Sequence, residues 1–352
     1  DFLEAAERLG VRVTGGTDRP NVLENVVPGS ALTLDFQASK RATGAIRAFA
    51  EAYPIEAVVA VDDDTVPLAA TASKALGLKS NPVEAAFTVR SKYQTRQILE
   101  EDGLPSPGFR LLSVEDSPEV LARTVPYPCV LKPTFLAASR GVIRADDPEE
   151  FAAAFRRITA ILREPETAAR GGDEAEMILA EDYIPGKEVA LEGIFEGRKL
   201  RVLALFDKPD PMEGPYFEET IYVTPSRLPD ETQGTIAETA ARALRALGIG
   251  EGPVHVELRV NEGVAWVIDV AARSIGGHCS RALRFEGDAS LEGLILDRAL
   301  RREAPAAGWV EGASGVMMIP IPGAGILRGV EGEEEALAVE GVEGVEVSIH
   351  PG

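Results

Sequence analysis

The chain has 352 residues, 45% of them hydrophobic, with 57 acidic against 36 basic side chains and a formal charge of -21. That length exceeds what one hydrophobic core usually serves, so two or three domains, or one large enzyme with subdomains, are expected. The acidic excess excludes unspecific nucleic-acid binding, because it repels phosphate, and no apolar stretch approaches the roughly 20 residues that cross a bilayer, so no membrane partner is expected.

The opening DFLEAAERLG has apolar residues at helical spacing and a terminal glycine, and it runs straight into the strand-like VRVTGG. The strand that should precede this helix in a crossover unit is absent and no charged-then-apolar leader is seen, so the sequence is expected to begin inside its first domain. Then come ALTLDF, the helix ATGAIRAFAEAY, the buried strand IEAVVAVDD and the helix TVPLAATASKALG. This alternation predicts an α/β layer over residues 1–88, a parallel sheet covered by helices. The acidic runs Asp62 to Asp64 and Glu331 to Glu335 read as solvated surface.

TVRSKYQTRQILEEDGLPSPGF reads as a helix stopped by Gly103 and two prolines, giving a helical linker over 89–114. A small αβ unit over 115–185 follows: the β-rich YPCVLKPTF, the capped helix DPEEFAAAFRRITAILRE and the strand EMILAEDYI. The rest, 186–352, opens with strands that turn back on themselves at FEGR, continues through the helix ETQGTIAETAARALRALG, and brings VHVEL and AWVIDV together around RVNEG. Cys129 and Cys279 lack a metal-like pair spacing, which argues against a disulfide framework or zinc site and fits a reducing cytoplasm.

The most constrained arrangement is Glu257 with Asp269. Alternating strands joined by a short turn can place both acids on adjacent rungs, where they repel unless a cation lies between them; hard magnesium prefers such oxygens together with substrate phosphates. A pair of exposed strand acids is the alternative. Lys132, in CVLKP, points either into a cleft or, snorkelling, to the surface. The small-residue loop after it, with Ser139, Arg140 and Gly141, suits a polyphosphate through its amides. Glu181 and the Ile184 backbone can read an adenine edge and Glu188 a ribose, although each acid alone also fits a surface position. Arg273 and the amides around Gly276 and Gly277 are candidates to receive an oxyanion, with a plain turn after a strand as the alternative. His278 is a base, a substrate contact or a structural histidine; His255, in register with Glu257, faces the same cleft or is packed. Tyr216, Phe217, Glu218 and Glu219 line a substrate pocket or belong to the core.

Taken in order, the lysine in RSKYQTRQILEEDGLPSPGF, the lysine in YPCVLKP, the loop AASRGV, AEDYIPGKEV, HVELRV and VIDVAARSIGGH resemble the ATP-grasp superfamily over most of the chain. The resemblance implies a Rossmann-like N-terminal domain, a small αβ lid and a large ATP-binding domain with a mixed or antiparallel sheet. It implies that Lys92 and Lys132 contact ATP phosphates, that Ser139, Arg140 and Gly141 lie in the phosphate-covering loop, that Glu181 and Ile184 read adenine, and that Glu188 reads ribose. It further implies that Glu257 and Asp269 hold Mg2+, with Mn2+ as an alternative ion, and that Arg273 faces the reacting acyl group. KPDPMEGPYFEETIYVTPS and AARSIGG are similar to the carboxylate-amine ligases that join amino acids. Asp269 stands where many members carry glutamate and Ala271 where many carry a metal-binding asparagine, which weakens a second metal site.

The implied activity is amide-bond formation between a carboxylic acid and an amine, both small molecules and of amino-acid type, through an acylphosphate. A bicarbonate-using carboxylase relative and a noncatalytic nucleotide-binding protein are the rival readings, and pairing of the chain into a homodimer stays open.

Overall fold

The computed structural model describes residues 1–19, 27–302, 308–321, 323 and 325–349. Two units arise, Asp1–Met317 and Met318–Gly352. Helix α1 (Phe2–Leu9) ends at Gly10, whose left-handed backbone (φ 63°) returns its amide to the carbonyls of Ala6 and Glu7. Strands β1 (Gly15–Thr17) and β2 (Ala31–Thr33) pair in parallel. Helices α2 (Ser39–Ala52) and α3 (Val66–Ala75) close over Leu34, Ala42, Ile46, Leu68 and Ala72.

The expected strand IEAVVAVDD does not form, and among the described residues the parallel sheet is the β1–β2 pair alone. An apolar run becomes a strand only where a neighbour completes its ladder. Here Val58, Val59 and Ala60 are half-buried and line a cavity with Val66, Pro253 and Ile295. The acidic run after it is also not plain solvated surface: Asp62 is exposed, but Asp63 bonds Arg273 and Asp64 bonds Arg90 and Arg170.

The single helix expected around residues 88–103 is two, α4 (Val83–Arg90) and α5 (Lys92–Glu101), broken at Ser91 in extended conformation. The break frees the Lys92 amide to donate to the Thr134 carbonyl (2.8 Å), anchoring the start of α5 beside the small sheet. That sheet includes β3 (Phe109–Ser113), so it begins inside the stretch expected to be helical linker. After α6 (Pro118–Leu121) come β4 (Cys129–Pro133), β5 (Ile143–Ala145), α7 (Pro148–Leu162), α8 (Pro165–Gly171) and β6 (Met177–Asp182). The order is β3-β6-β4-β5, antiparallel throughout. Asp147 caps α7 by accepting from the amides of Glu149 and Glu150, and Phe151, Phe155, Ile158 and Leu162 bury that helix on the sheet.

The large sheet comprises β7 (Lys187–Glu196), β8 (Lys199–Asp207) and β9 (Ile221–Thr224), then, after helix α9 (Asp230–Ala246), β10 (Glu251–Asn261) and β11 (Val264–Ala271), and finally, after α10 (Leu291–Ala299), β12 (Ser314–Met317). Its order is β11-β10-β7-β8-β9-β12 with antiparallel neighbours. Gly197 and Arg198, both at positive φ (53° and 67°), make the β7–β8 hairpin expected at FEGR. Val189, Leu191, Val254, Val256, Leu258 and Val267 bury one face against Ile236, Ala240 and Leu244 of α9. The period of two then commits the intervening residues to the opposite face. In the second unit, helix α11 (Glu333–Leu337) carries the exposed acidic run. No helix among the described residues is long and apolar enough to cross a membrane.

Two glycines separate backbone necessity from simple propensity. At Gly186, φ is 110° and an added Cβ would lie 2.1 Å from the Val260 carbonyl oxygen, whereas Gly234 sits inside α9 with open space around it. Gly186→Ala is expected to lower the urea unfolding midpoint, costing about 2 kcal/mol or more, and Gly234→Ala to raise it by about 0.5–1 kcal/mol. Equal midpoints for the two variants would contradict the strain assigned to residue 186.

Candidate active site

The polar face of the large sheet is built by register. Across β7 and β10 the Cα partners are Arg259 with Glu188, Glu257 with Ala190 and His255 with Glu192; across β10 and β11, Glu257 faces Asp269 directly. Directly opposed residues of an antiparallel pair share one face. Glu257 and Asp269 therefore project together from neighbouring strands.

Lys208, immediately after β8, organises the centre. Its ammonium donates to Glu188 (2.9 Å), Glu219 (3.0 Å) and Glu257 (2.8 Å), and its side chain is 2% exposed. Burial alone would depress this lysine, but the three carboxylates outweigh it and raise its pKa well above the usual value. Glu257 is held well below the carboxylate range: burial opposes ionisation, and Lys208 and His255 overcome it. Glu219 is instead pushed up, first by burial and then by Glu257. The directions differ within one cluster because one ammonium cannot neutralise three acids.

A second cluster lies between the two sheets. Glu181, on β6, takes Arg96 of α5 on one oxygen (Nε to Oε1, 2.7 Å) and Lys132 of β4 on the other (2.6 Å), all three buried. Burial would raise the Glu181 carboxyl, but the two cations hold it low, and burial depresses Lys132. Arg96 also donates to the carbonyl of Ile268, tying this cluster to the residue before Asp269. Lys92 bonds Asp269. Glu188 receives Arg259 as well (2.8 Å), and Arg259 donates to the Ile184 carbonyl (2.8 Å). At the far end of β11, Arg273 makes a two-pronged pair with Asp63 (3.0 and 2.7 Å).

Lys92, Asp269, Glu257 and Glu188 are thus linked by ion pairs and strand opposition, Lys132 and Glu181 form a second cluster tied to them through Arg96 and the Ile268 carbonyl, and Arg273 pairs separately with Asp63. The loop candidates stand apart from these. Ser139 (φ 52°) and Gly141 (φ 78°) form a tight turn after β4, and Arg140 pairs with the exposed Glu164. Gly276 and Gly277 are exposed and His278 is half-buried. His255 is buried and bonded to Glu192. Phe217 is buried, while Tyr216 is exposed beneath the Arg157 guanidinium. Arg144 of β5 donates to the Glu213 carbonyl (2.7 Å) and stacks 4.2 Å over the Tyr183 ring, joining the small sheet to the loop before Glu219. Sequence reasoning missed Lys208, Arg96, Arg259, Asp63 and Glu192. Lys208 and Glu192 carried a signal, being polar residues at the end of or within strongly apolar strands.

The residues fit a divalent cation and a polyphosphate. Glu188, Glu219 and Glu257 each offer an oxygen within 4.8 Å of the others, an all-oxygen donor set of the kind hard cations take. Asp269 stands across from Glu257 on β11, beside that group of three. Lys92, Lys132 and Lys208 supply the positive charge that phosphates require.

The ATP-grasp N-terminal domain family matches residues 3–79 and the ATP-grasp domain family matches residues 125–282. The chain is 28% identical over 262 residues to alanine–anticapsin ligase of Bacillus amyloliquefaciens, covering 70% of this chain and 54% of that protein. It is 25% identical over 210 residues to D-alanine–D-alanine ligase of Aromatoleum aromaticum, covering 55% of this chain and 64% of that one. The chain thus spans about half the length of the anticapsin ligases it matches, 54% in each case. The crystal structure of L-amino acid ligase from Bacillus licheniformis superposes with a TM-score of 0.82 at 29% identity, covering 100% of this chain and 85% of that one. The chain thus carries an ATP-grasp N-terminal domain followed by an ATP-grasp domain and has the ATP-grasp fold.

Proposed function

We propose that the protein is an ATP-dependent carboxylate-amine ligase that joins two amino-acid-type substrates in an amide bond. The observation that carries this reading is the pairing of Glu257 with Asp269 on the face that also holds Lys208 and Lys92, with Arg273 four residues further along the chain. The similarity to alanine–anticapsin ligase and to L-amino acid ligase supports an amino acid on each side of the new bond.

A carboxylate does not react with an amine at neutral pH, because oxide is a poor leaving group. In the proposed reaction a carboxylate oxygen of the first substrate takes the terminal phosphoryl group of ATP, leaving ADP and an acylphosphate; the amine nitrogen then bonds the acyl carbon, phosphate departs and the nitrogen loses a proton. Magnesium, when bound, neutralises charge on the phosphate oxygens. Glu257 and Asp269 are its holders in this reading. Lys92 and Lys132 orient phosphate oxygens, and Lys208 keeps Glu257 ionised and holds Glu188 in place. Glu181 and the backbone at Ile184 read adenine, and Glu188 the ribose. Arg273 receives the acyl oxygen together with the amides near Gly276 and Gly277, each donor lowering the barrier by about 3 kcal/mol. His278 stands beside these glycines as a contact for the incoming amine. Asp63 fixes the plane of the Arg273 guanidinium, since a two-pronged pair leaves it little freedom to turn.

An acylphosphate is lost to water unless it is covered, and the unit over 115–185 is proposed as the cover, with Ser139, Arg140 and Gly141 closing over the phosphates. Arg144 would carry the loop before Glu219 with it.

A screen of amino acids, amines and bicarbonate for ADP release, with mass spectrometry of products, is expected to show turnover that needs an acid and an amine together; release with bicarbonate alone would assign a carboxylase instead. Arg273→Ala should lower kcat by about 100-fold while changing ATP affinity less than about threefold, and equal losses would move Arg273 to nucleotide binding. Amides of residues 134–142 should gain protection from hydrogen exchange when a nonhydrolysable ATP analogue is added, and unchanged exchange there would contradict the closing lid.

A further inference from the structure

Glu192 is 0% exposed in the middle of β7, and the reaction as described makes no use of it. A carboxylate buried in this way is costly unless its oxygens are bonded. Both are. The Ile275 amide donates to the two oxygens at 3.0 and 3.1 Å, and Nδ1 of His255 lies 3.2 Å from Oε2. The other ring nitrogen of His255 is 3.5 Å from Oε1 of Glu257. One carboxylate thus reaches in two directions: to the backbone of the loop that carries Arg273, Gly276 and Gly277, and through an imidazole to Glu257.

The geometry assigns Glu192 as a positioning residue that holds the Arg273–Gly277 loop and the Glu257 carboxylate at a fixed separation. This assignment rests on the ligase reading for its chemical purpose, since cation site and acyl site must be kept in register for phosphoryl transfer to the oxygen, and amine attack at the carbon, of one carboxyl group. A carboxyl group suits the task because its two oxygens can meet a backbone amide and an imidazole nitrogen at once. Its rigidity comes from its place: Glu192 and His255 are Cα partners on adjacent central strands, so neither can shift without moving the ladder. A carboxylate in the shell around a metal ligand orients that ligand without touching the ion.

The test uses the full chain and the variants Glu192→Leu and Glu192→Gln, with circular dichroism to establish folding. Two quantities are read: Mn2+ affinity in the presence of a nonhydrolysable ATP analogue, by electron paramagnetic resonance, and hydrogen exchange over residues 273–279. Glu192→Leu is expected to weaken Mn2+ binding about tenfold and to speed exchange of the loop by a similar factor. Glu192→Gln, which retains an acceptor for Ile275, should restore slow exchange and leave a loss of about threefold in Mn2+ affinity. A folded Leu variant with wild-type affinity and exchange would overturn the assignment and leave Glu192 a packing residue. If the Leu variant does not fold, the Gln variant decides: unchanged Mn2+ affinity overturns the assignment and a weakened one supports it. Absence of Mn2+ and analogue binding in the wild type would sink the ligase reading instead, and loop exchange in the variants would then decide the positioning role alone.

Discussion

Like-charge repulsion is the constraint on which the site depends. Glu188, Glu219 and Glu257 converge on Lys208, and Asp269 stands across from Glu257 with Lys92 for company. In water such a group would spread apart. Glu188, Glu257 and Asp269 cannot, because ladder hydrogen bonds fix their Cα atoms and the same strands are sunk in the core at Val256, Leu258 and Val267, while Lys208 holds Glu219 from the loop before β9. Residual negative charge is thereby stored where a divalent ion can relieve it. The raised Glu219 beside the lowered Glu257 is the mark of that imbalance.

The surrounding architecture supplies cations from outside the sheet. Lys92 arrives because the chain breaks at Ser91 and starts a new helix against Thr134. Arg96, on the same helix, spans Glu181 of the small sheet and Ile268 of the large one. Asp63, from the segment before α3, fastens Arg273. Small sheet, large sheet and N-terminal layer therefore meet at charged groups as well as at the apolar core that Val66, Ala70, Val89 and Leu99 share with the large sheet. The charged contacts are sensitive to the charge of what binds between them.

The strands and helices of the large sheet were legible because they obey simple periods: VHVEL and AWVIDV alternate, FEGR turns, and the helix before them has a continuous apolar stripe. Alternation and turn length brought Glu257 and Asp269 to neighbouring rungs, but a regular ladder from the turn would set Ile268 against Glu257, and the bulge between Glu257 and Leu258 that brings Asp269 there was not legible. IEAVVAVDD misled because an apolar run reports burial and says nothing of whether a neighbour completes its ladder. The break at Ser91 was hidden for a related reason, since one extended residue leaves helical spacing on either side intact. The role of Asp63 was invisible, because its partner Arg273 lies 210 positions away and only the fold brings them together. Lys208 and Glu192 were the most readable omissions, each a charge set in apolar strand sequence.

Anomalous scattering from crystals grown with Mn2+ and a nonhydrolysable ATP analogue tests the central claim most directly. The account predicts a manganese peak bonded to carboxylate oxygens of both Glu257 and Asp269, with the analogue's phosphates on its open side. A peak that contacts neither residue, or a nucleotide bound away from this face, would contradict it.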